Sequence, residues 1–394
     1  MGCVDTLWHI YPLGATGAPI RDWTDPGTAE HRLRRLEPWL DHAASISDHL
    51  LLGPIFTSAT HGYDTLDHYS IDPRLGTDDD FDNLVGMAGE RGMGIVLDGV
   101  FNHVAAGHPL ESHVAKNEDG SARLFEGHGA LLELDHSDPV VTDYITDVIL
   151  HWLGRGAQGW RMDAAYRMDP SVWETILPPA KQAFPEAWFL GEVIHGDYAS
   201  FTGDDRLDSV TQYEVWKAIW SSLKEENLYE LEWSLTRHNG FLDSFVPNTF
   251  IGNHDVERIA STLGRPTAAI AAAILFTLPG IPSIYAGDEF GALGTKGVGF
   301  AADDPIRPAL PPVPPRDARS EDILNIYRWG VHLRREHPWL KRARTETVNI
   351  SNTAFTYRVH DASHEMIVAI DLPARSVRVD IGNRTIWRLP ALDD

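Results

Sequence analysis

The feature that most constrains this chain is a repeated alternation of short apolar runs with stretches of helical periodicity. The runs that predict strands are Thr6–Tyr11, His49–Leu52, Gly94–Leu97, Gly159–Met162, Trp188–Leu190, Ser209–Gln212, Thr249–Ile251 and Ser283–Tyr285. The stretches that predict helices between them are Glu30–Leu40, Phe81–Arg91, Pro139–Gly154, Gln212–Glu225 and Ala268–Thr277. The alternation alone predicts an α/β fold. Eight such strands, taken with the motifs below, suggest a (β/α)8 TIM barrel.

Two segments depart from this alternation. His103–Asp135 is polar, follows the third predicted strand and has little helical pattern, so it reads as an insertion. After a predicted helix near Glu321–Glu336, the chain changes to short alternating strands, namely Thr347–Ile350, Phe355–Val359, Met366–Ile370, Val377–Ile381 and Thr385–Leu389. We therefore expect a barrel formed by residues 1–103 and 136–340, a short inserted domain at 104–135 and a small C-terminal β domain at 341–394.

The composition limits the partners of the chain. Lys and Arg total 33 against 57 Asp and Glu, which gives a net charge of −24. Such a surface repels nucleic acid and anionic membranes, so neither partner is expected. A single cysteine, Cys3, excludes an internal disulfide and a cysteine-based zinc site. No apolar run reaches 18 residues and no leader pattern is visible, so we expect a cytoplasmic protein. The oligomeric state is open.

Arg161 and Asp163 stand two positions apart at the end of the fourth predicted strand. Residues two apart on a strand share a face, and the carboxyl ends of barrel strands are where active sites are built. A carboxylate beside a guanidinium is expected to stay ionised at neutral pH, as a nucleophile must. The alternative interpretation is a structural ion pair.

Glu192 follows the fifth predicted strand, directly after an apolar run and Gly191. Partial removal from water would raise the pKa of its carboxyl group and suit it to donate a proton. The alternative is an ordinary surface glutamate at a strand end.

Three further groups of polar residues follow other strands. Asp98–His103 follows the third strand, Asn253–Asp255 the seventh, and Tyr63 with Asp64 the second. Imidazole and carboxylate groups can bind vicinal hydroxyls, and a tyrosine ring can stack on the apolar face of a sugar. The alternatives are core histidines, a loop-capping Asp64, or a metal site, which the lack of an H-E-x-x-H motif disfavours.

A barrel would bring all these strand ends to one rim. Several carboxylates, one arginine and two histidines that converge there fit the chemistry of a retaining glycosidase, in which one carboxylate attacks and another donates a proton. The set, rather than any single motif, carries the prediction.

These motifs, in this order and spacing, resemble the α-amylase family of glycoside hydrolases over about residues 1–340. The matching stretches are GYDTLDHYSIDPRLG at Gly62–Gly76, DGVFNH at Asp98–His103, GWRMD at Gly159–Asp163, GEV at Gly191–Val193, FIGNHD at Phe250–Asp255 and GIPSIYAGDEFG at Gly280–Gly291. The first is most similar to the intracellular α-glucosidase, cyclomaltodextrinase and neopullulanase branch. The family fold is a (β/α)8 barrel with a domain B inserted after strand three and a β-rich domain C.

The resemblance implies roles for the matching positions. Asp163 corresponds to the nucleophile, Glu192 to the general acid/base, and Asp255 to the carboxylate that grips substrate hydroxyls. The implied substrate-binding residues are Tyr63, Asp64, His103, Arg161, Tyr166, Asn253 and His254, with Asp98 and Asn102 shaping the site. Asp64 would hold a terminal sugar and favour exo action.

The chain also departs from the family pattern. Many relatives carry Lys-His three and four positions after the nucleophile, on the leaving-group side, where this chain has Tyr166 and Arg167. Many also bind structural calcium through domain B and the asparagine that matches Asn102. Here the short insertion offers Glu118, Asp119 and Glu126. No cofactor is therefore expected to be required, and calcium is left open.

The sequence thus predicts a retaining α-glycoside hydrolase for α-glucans or short α-gluco-oligosaccharides, acting through a covalent glycosyl-enzyme. One alternative is a transglycosylase or isomerase on the same scaffold, which would differ in the access of water to the intermediate. A second is a sugar-binding protein without activity, against which the intact Asp163, Glu192 and Asp255 argue.

Overall fold

The computed structural model describes residues 4–21, 23, 29–127, 129–299 and 301–392, so Cys3 lies outside the described residues. Within them, eight parallel strands form one sheet in the order β6-β5-β4-β3-β2-β1-β8-β7. The strands are β1 (Leu7–Ile10), β2 (His49–Leu52), β3 (Gly94–Gly99), β4 (Gly159–Met162), β5 (Trp188–Gly191), β6 (Ser209–Val210), β7 (Asn248–Phe250) and β8 (Ile281–Tyr285). A parallel bridge between Thr211 and Asn248 joins the two ends of this sheet. The predicted (β/α)8 barrel is confirmed.

Helices surround the sheet, so the strands are buried on both faces and read as continuous apolar runs. The helices are α1 (Pro12–Ala15), α2 (Leu40–Ile46), α3 (Asp78–Gly89), α4 (Pro139–Gly154), α5 (Trp173–Ala183), α6 (Tyr213–Lys224), α7 (Leu228–Phe241), α8 (Ile259–Leu263), α9 (Arg265–Thr277) and α10 (Ala318–Glu336). No helix in the described part of the chain is long and apolar enough to cross a membrane.

One sequence expectation about helices was wrong, and some helices, such as α5 and α7, were not predicted. The stretch predicted as the helix Glu30–Leu40 is a 3₁₀ helix at Arg32–Trp39, and the α-helical turns begin only at Leu40. Pro38 lies inside this stretch and lacks the N–H that an α-helix needs. Helix α5 was not predicted, because its internal Pro178 and Pro179 hide the helical pattern.

The segment after β3 is a small, mostly irregular excursion. An antiparallel pair, His103–Ala105 with Leu131–Glu133, forms its base, and a short 3₁₀ turn lies at Phe125–Gly127. We call residues 104–135 the insertion. Because its base begins at His103, directly after the end of β3, the insertion stands at the rim that carries the predicted site residues.

A separate antiparallel sheet of five strands follows α10 in the described chain. Its strands are β9 (Arg344–Ile350), β10 (Ala354–His360), β11 (Glu365–Asp371), β12 (Ser376–Ile381) and β13 (Arg384–Arg388). One face packs on the barrel helices, where the hydroxyls of Tyr357 and Thr277 lie 2.7 Å apart in a hydrogen bond. Apolar residues of this sheet and of the barrel belong to one continuous core.

Candidate active site

The carboxyl ends of the barrel strands surround a cleft of about 580 Å³. Its walls come from the insertion and from loops that follow several different strands, which is how barrels assemble their sites. Residues predicted from the sequence that line it are Tyr63, His103, Asp163, Tyr166, Glu192 and Asp255. The structure therefore brings together the three predicted catalytic carboxylates at one cavity.

Arg161 is the centre of the polar network beneath the cleft. Its Nη1 atom donates to both carboxylate oxygens of Asp98 at 2.6 and 2.7 Å and lies 3.4 Å from Oδ1 of Asp163. Its Nη2 atom lies 2.8 Å from Oε1 of Glu192. Burial lowers the pKa of this guanidinium, but the surrounding carboxylates outweigh burial and the net pKa is raised. The single positive charge of Arg161 thus pairs with three carboxylates.

A chain of hydrogen bonds extends this network to Asp255. The Tyr213 hydroxyl donates to Oε1 of Glu192 at 3.0 Å and accepts from Nδ2 of Asn253 at 2.9 Å. Oδ1 of Asn253 accepts the backbone N–H of Asp255 at 2.9 Å. Burial, with the nearby Glu192, raises the pKa of Tyr213 well above its usual value, so the hydroxyl keeps its proton. Tyr213 was missed by the sequence analysis because it opens α6 outside every motif.

The environment of Asp163 differs from the expectation. Arg161 was expected to keep this carboxylate ionised, yet the guanidinium is closer to Asp98. Burial, followed by the negative charge of Glu192, raises the pKa of Asp163 well above its ordinary value. The negative charge of a neighbouring carboxylate disfavours the ionised form of an acid. Burial and crowded negative charge thus oppose the ionisation of Asp163 in the free protein.

The turn after β4 has a strained backbone. Ala164 adopts a left-handed conformation with φ +48°, which a non-glycine residue rarely takes. In this conformation its N–H donates to Oε2 of Glu192 at 3.0 Å. With Tyr213 on the other oxygen, both oxygens of Glu192 are fixed. Strain of this kind is concentrated at functional sites.

Asp255 lies half-buried at the cleft, between two partners. Its Oδ1 atom accepts from Nη2 of Arg307 at 2.7 Å, and its Oδ2 atom lies 3.1 Å from Nε2 of His254. Arg307 stacks over the ring of Tyr11, with the guanidinium carbon 4.7 Å from the ring centre. Neither Arg307 nor Tyr11 was singled out from the sequence, because one lies in a proline-rich loop and the other reads as the end of a buried strand.

Tyr63 forms part of the cleft wall, and the buried His254 lies beside it. Its hydroxyl donates to Oδ2 of Asp98 at 3.0 Å and also contacts Nε2 of His254, and the two rings are parallel with centres 5.1 Å apart. Burial, and then the charge of Arg161, lowers the pKa of His254 well below its usual value. His254 is therefore a neutral imidazole beside Tyr63.

The side chains of Asp64, His103 and Asn102 make hydrogen bonds within the protein. Asp64 is buried and its carboxylate accepts from the N–H and the hydroxyl of Thr60, so it caps its own loop. Nε2 of His103 lies 3.0 Å from the carbonyl oxygen of Tyr63, and its Nδ1 lies 3.3 Å from Nδ2 of Asn102. Of these three, only His103 reaches the wall of the cleft.

Tyr166 and Arg167, at the positions where many family members have Lys-His, both reach the insertion. The Tyr166 hydroxyl donates to Oε1 of Glu126 at 2.8 Å. Nη2 of Arg167 donates to Oε1 of Glu133 at 3.0 Å, and Arg123 contacts the other oxygen of the same carboxylate. The loop that carries Asp163 is therefore tied to the insertion by two consecutive residues.

The residues around the insertion do not fit the calcium site that the resemblance left open. Asn102 directs its amide at His103, Asp119 accepts from Ser121, and Glu133 is neutralised by two guanidinium groups. No cluster of three His, Cys, Asp or Glu side chains suitable for a metal ion occurs among the described residues. No chemistry is therefore assigned to a metal.

Comparison with known proteins places this fold and cleft in a family. The model of the alpha-amylase catalytic domain matches residues 46–126 and 123–325, and the chain belongs to this family.

Three individual proteins are similar to the chain. Cyclomaltodextrinase from Thermoanaerobacter pseudethanolicus is 28% identical over 353 residues, which cover 82% of this chain and 60% of that protein. 4-alpha-glucanotransferase from Thermotoga maritima is 25% identical over 403 residues, 84% of this chain and 88% of that protein. The fold matches the cyclic alpha-maltosyl-(1→6)-maltose hydrolase from Arthrobacter globiformis in complex with its cyclic sugar, with a TM-score of 0.79 at 23% identity over 93% of this chain and 90% of that one.

Proposed function

We propose that this chain hydrolyses α-glucans or short α-gluco-oligosaccharides with retention of configuration, through a covalent glycosyl-enzyme. The proposal rests on one observation, which is that Arg161 forms ion pairs with both Asp163 and Glu192 beside the cleft. A retaining glycosidase uses two carboxyl groups in one cavity, of which one attacks the sugar and the other donates a proton. Membership of the α-amylase family and the similarity to a cyclomaltodextrinase support the choice of α-glucans as substrates.

In the proposed mechanism Glu192 protonates the bridging oxygen while Asp163 attacks the anomeric carbon, so that the glycosidic bond breaks and an ester forms. Water then attacks the same carbon and Glu192 takes its proton, while the ester bond breaks and Asp163 leaves as the carboxylate. The Tyr213 hydroxyl and the Ala164 N–H hold the two oxygens of Glu192 throughout. Asp255, fixed by Arg307, grips ring hydroxyls of the reacting sugar. The mechanism requires a proton on Glu192 and a negative charge on Asp163.

Proton NMR of the protein with maltotriose, followed from early time, tests this proposal. Fresh α-anomer is expected from the wild type and none from Asp163→Asn. Initial release of the β-anomer would contradict retention, and identical turnover by Asp163→Asn would contradict the assigned nucleophile. Loss of turnover in the variant is expected to exceed about 10³-fold, since the nucleophile acts in the transition state itself.

Glycosyl transfer is the second candidate function. The match to a 4-alpha-glucanotransferase over most of both chains favours it specifically. In that case a sugar hydroxyl would replace water in the second step, and the same NMR experiment would display new linkage signals without a net gain of reducing ends. A cytoplasmic location and the absence of a required cofactor stay predictions.

A further inference from the structure

A second cavity opens beside the cleft, between helices α6 and α8. It has a volume of about 310 Å³. Four of its wall residues, Trp216, Asp255, Val256 and Lys296, also line the cleft. The two spaces are therefore contiguous, and Asp255 belongs to both. Apart from Asp255, its wall residues have no role in the proposed mechanism.

Two indole rings dominate its wall. Trp216 and Trp220 are one turn apart on α6, both half-buried, with ring centres 6.0 Å apart. The ring of Trp216 lies nearly parallel to Phe250 at 6.2 Å, which fixes its orientation. The indole N–H of Trp220 finds no acceptor among the residues that the structure describes. Rigid aromatic surface offers a ligand an area on which to stack.

Charged groups border these rings. Lys224 and Glu257 are exposed at the rim, and Lys296, which donates to the backbone oxygen of Asp255 at 2.9 Å, lies where this cavity meets the cleft. A purely apolar occupant would remove these charges from water without replacing their hydrogen bonds, which is costly. A glucose residue has an apolar face for the indoles and hydroxyls for the charged groups, so it satisfies both parts of the wall.

We infer that the cavity beside Trp220 is an additional sugar-binding pocket, which holds a glucose residue of the same α-glucan that occupies the cleft. The inference rests on the proposed function for the identity of the ligand. Its shared walls with the cleft are the reason for assigning one continuous chain rather than a separate sugar. The pocket has the size at which small-molecule sites begin, about 300 Å³. It makes the protein favour longer oligosaccharides over maltose.

The test is calorimetric binding of maltose and of maltohexaose to the Asp163→Asn protein, which cannot turn them over by the proposed route. Adding Trp220→Ala is expected to weaken maltohexaose binding about five- to tenfold and to leave maltose within about twofold. The matched control is Trp233→Ala. Trp233 is a tryptophan on α7 that is 64% exposed and lines neither cavity, so this change should leave both affinities unaltered.

A second variant distinguishes loss of the pocket from a general effect on folding. Thr262→Phe fills the pocket from the opposite wall, on α8, while Trp220 stays in place, and it should produce the same selective loss. Equal effects on both sugars, no effect on either, or no binding of maltohexaose to the Asp163→Asn parent would each overturn the inference. Wild-type hydrolysis of maltotriose is measured separately, so a failed pocket and a failed function are distinguishable.

Discussion

At the scale of single residues, Asp98 determines how the charge of Arg161 is distributed. Both its oxygens accept from Nη1, while Asp163 lies farther away at 3.4 Å. Burial raises the pKa of Asp98 itself to about 6, even with Arg161 beside it. The negative charge of Asp98 is also one of the causes that raise the pKa of Asp163.

Replacing Asp98 by Asn should therefore move the acid limb of the activity profile. Loss of this negative charge lowers the pKa of Asp163, so Asp163 stays ionised to lower pH and kcat/KM falls off at lower pH than in the wild type. The rate at the optimum should fall on the order of tenfold or more, because Arg161 loses the partner that orients it. The measurement is kcat/KM on maltotriose between pH 4 and 8.

Asp288→Asn is the matched control for this change. Asp288 is also buried and paired with an arginine, Arg258, and burial raises its pKa to about 6, but it does not line the cleft. Its replacement should leave the acid limb in place. An acid limb that stays fixed or shifts upward in Asp98→Asn would contradict the electrostatic account.

At the scale of elements, the tie between the insertion and the β4 loop depends on Glu133. Its buried carboxylate contacts Arg123 within the insertion and Arg167 on the loop. Glu133→Gln removes the charge from both contacts and should cost about 1–3 kcal/mol, because the two guanidinium groups lose a shared partner. We expect faster proteolysis within 104–135 and a lower melting temperature.

The exposed Glu118 provides the control for this prediction, since it lies in the same insertion. Glu118→Gln should change neither the proteolysis rate nor the melting temperature. If Glu133→Gln resists protease as well as the wild type does, the tie does not hold the insertion in place.

The contact between α9 and α10 requires a glycine. A Cβ atom at Gly330 would come within 2.2 Å of the ring of Phe276. Gly330→Ala should therefore destabilise the protein by about 1–3 kcal/mol through overpacking, as measured by chemical denaturation. Gly86→Ala, in open space on α3, should instead stabilise it by roughly 0.5–1 kcal/mol, since alanine is the better helix former. Equal effects of the two substitutions would contradict this account of the packing.

The strands were easier to predict from the sequence than the helices. Strands buried on both faces appear as apolar runs, and His49–Leu52 and Gly159–Met162 were predicted with the observed bounds. Helix positions depend on features that periodicity does not display, such as the two internal prolines of α5. Tertiary packing stabilises the helix there, although the local sequence pattern does not indicate one.

The candidate site was predictable where a motif follows a strand. Asp163, Glu192 and Asp255 could be placed on one rim because barrel topology brings strand ends together. Arg307 and Tyr213 could not, because each acts through a contact with a residue distant in sequence. Asp64 illustrates the opposite case, since its carboxylate satisfies its own loop and the alternative interpretation of a loop cap fits the geometry.

At the scale of the whole molecule, the barrel and the C-terminal sheet share one apolar core. Phe355, Tyr357 and Val359 of β10 are fully buried against barrel helices. We expect a single cooperative transition in calorimetry rather than two, because neither part buries its apolar face alone. Thr277→Val, which removes the hydrogen bond to Tyr357, should lower this one melting temperature without splitting the transition. Two separate peaks would indicate that the sheet folds independently.

The barrel closes between β6 and β7, and we expect this strand contact to be its least stable one. Strand β6 has two residues, and the backbone hydrogen bond from Gln212 to Asn248 joins it to β7. Amide hydrogens there should exchange with solvent sooner than those of β3, which pairs on both sides. Glu192 precedes this strand contact and Asp255 follows it. A sugar that contacts both residues would therefore span the contact between β6 and β7. Occupancy of the cleft should then slow amide exchange at Gln212, so that ligand binding stabilises the closed barrel.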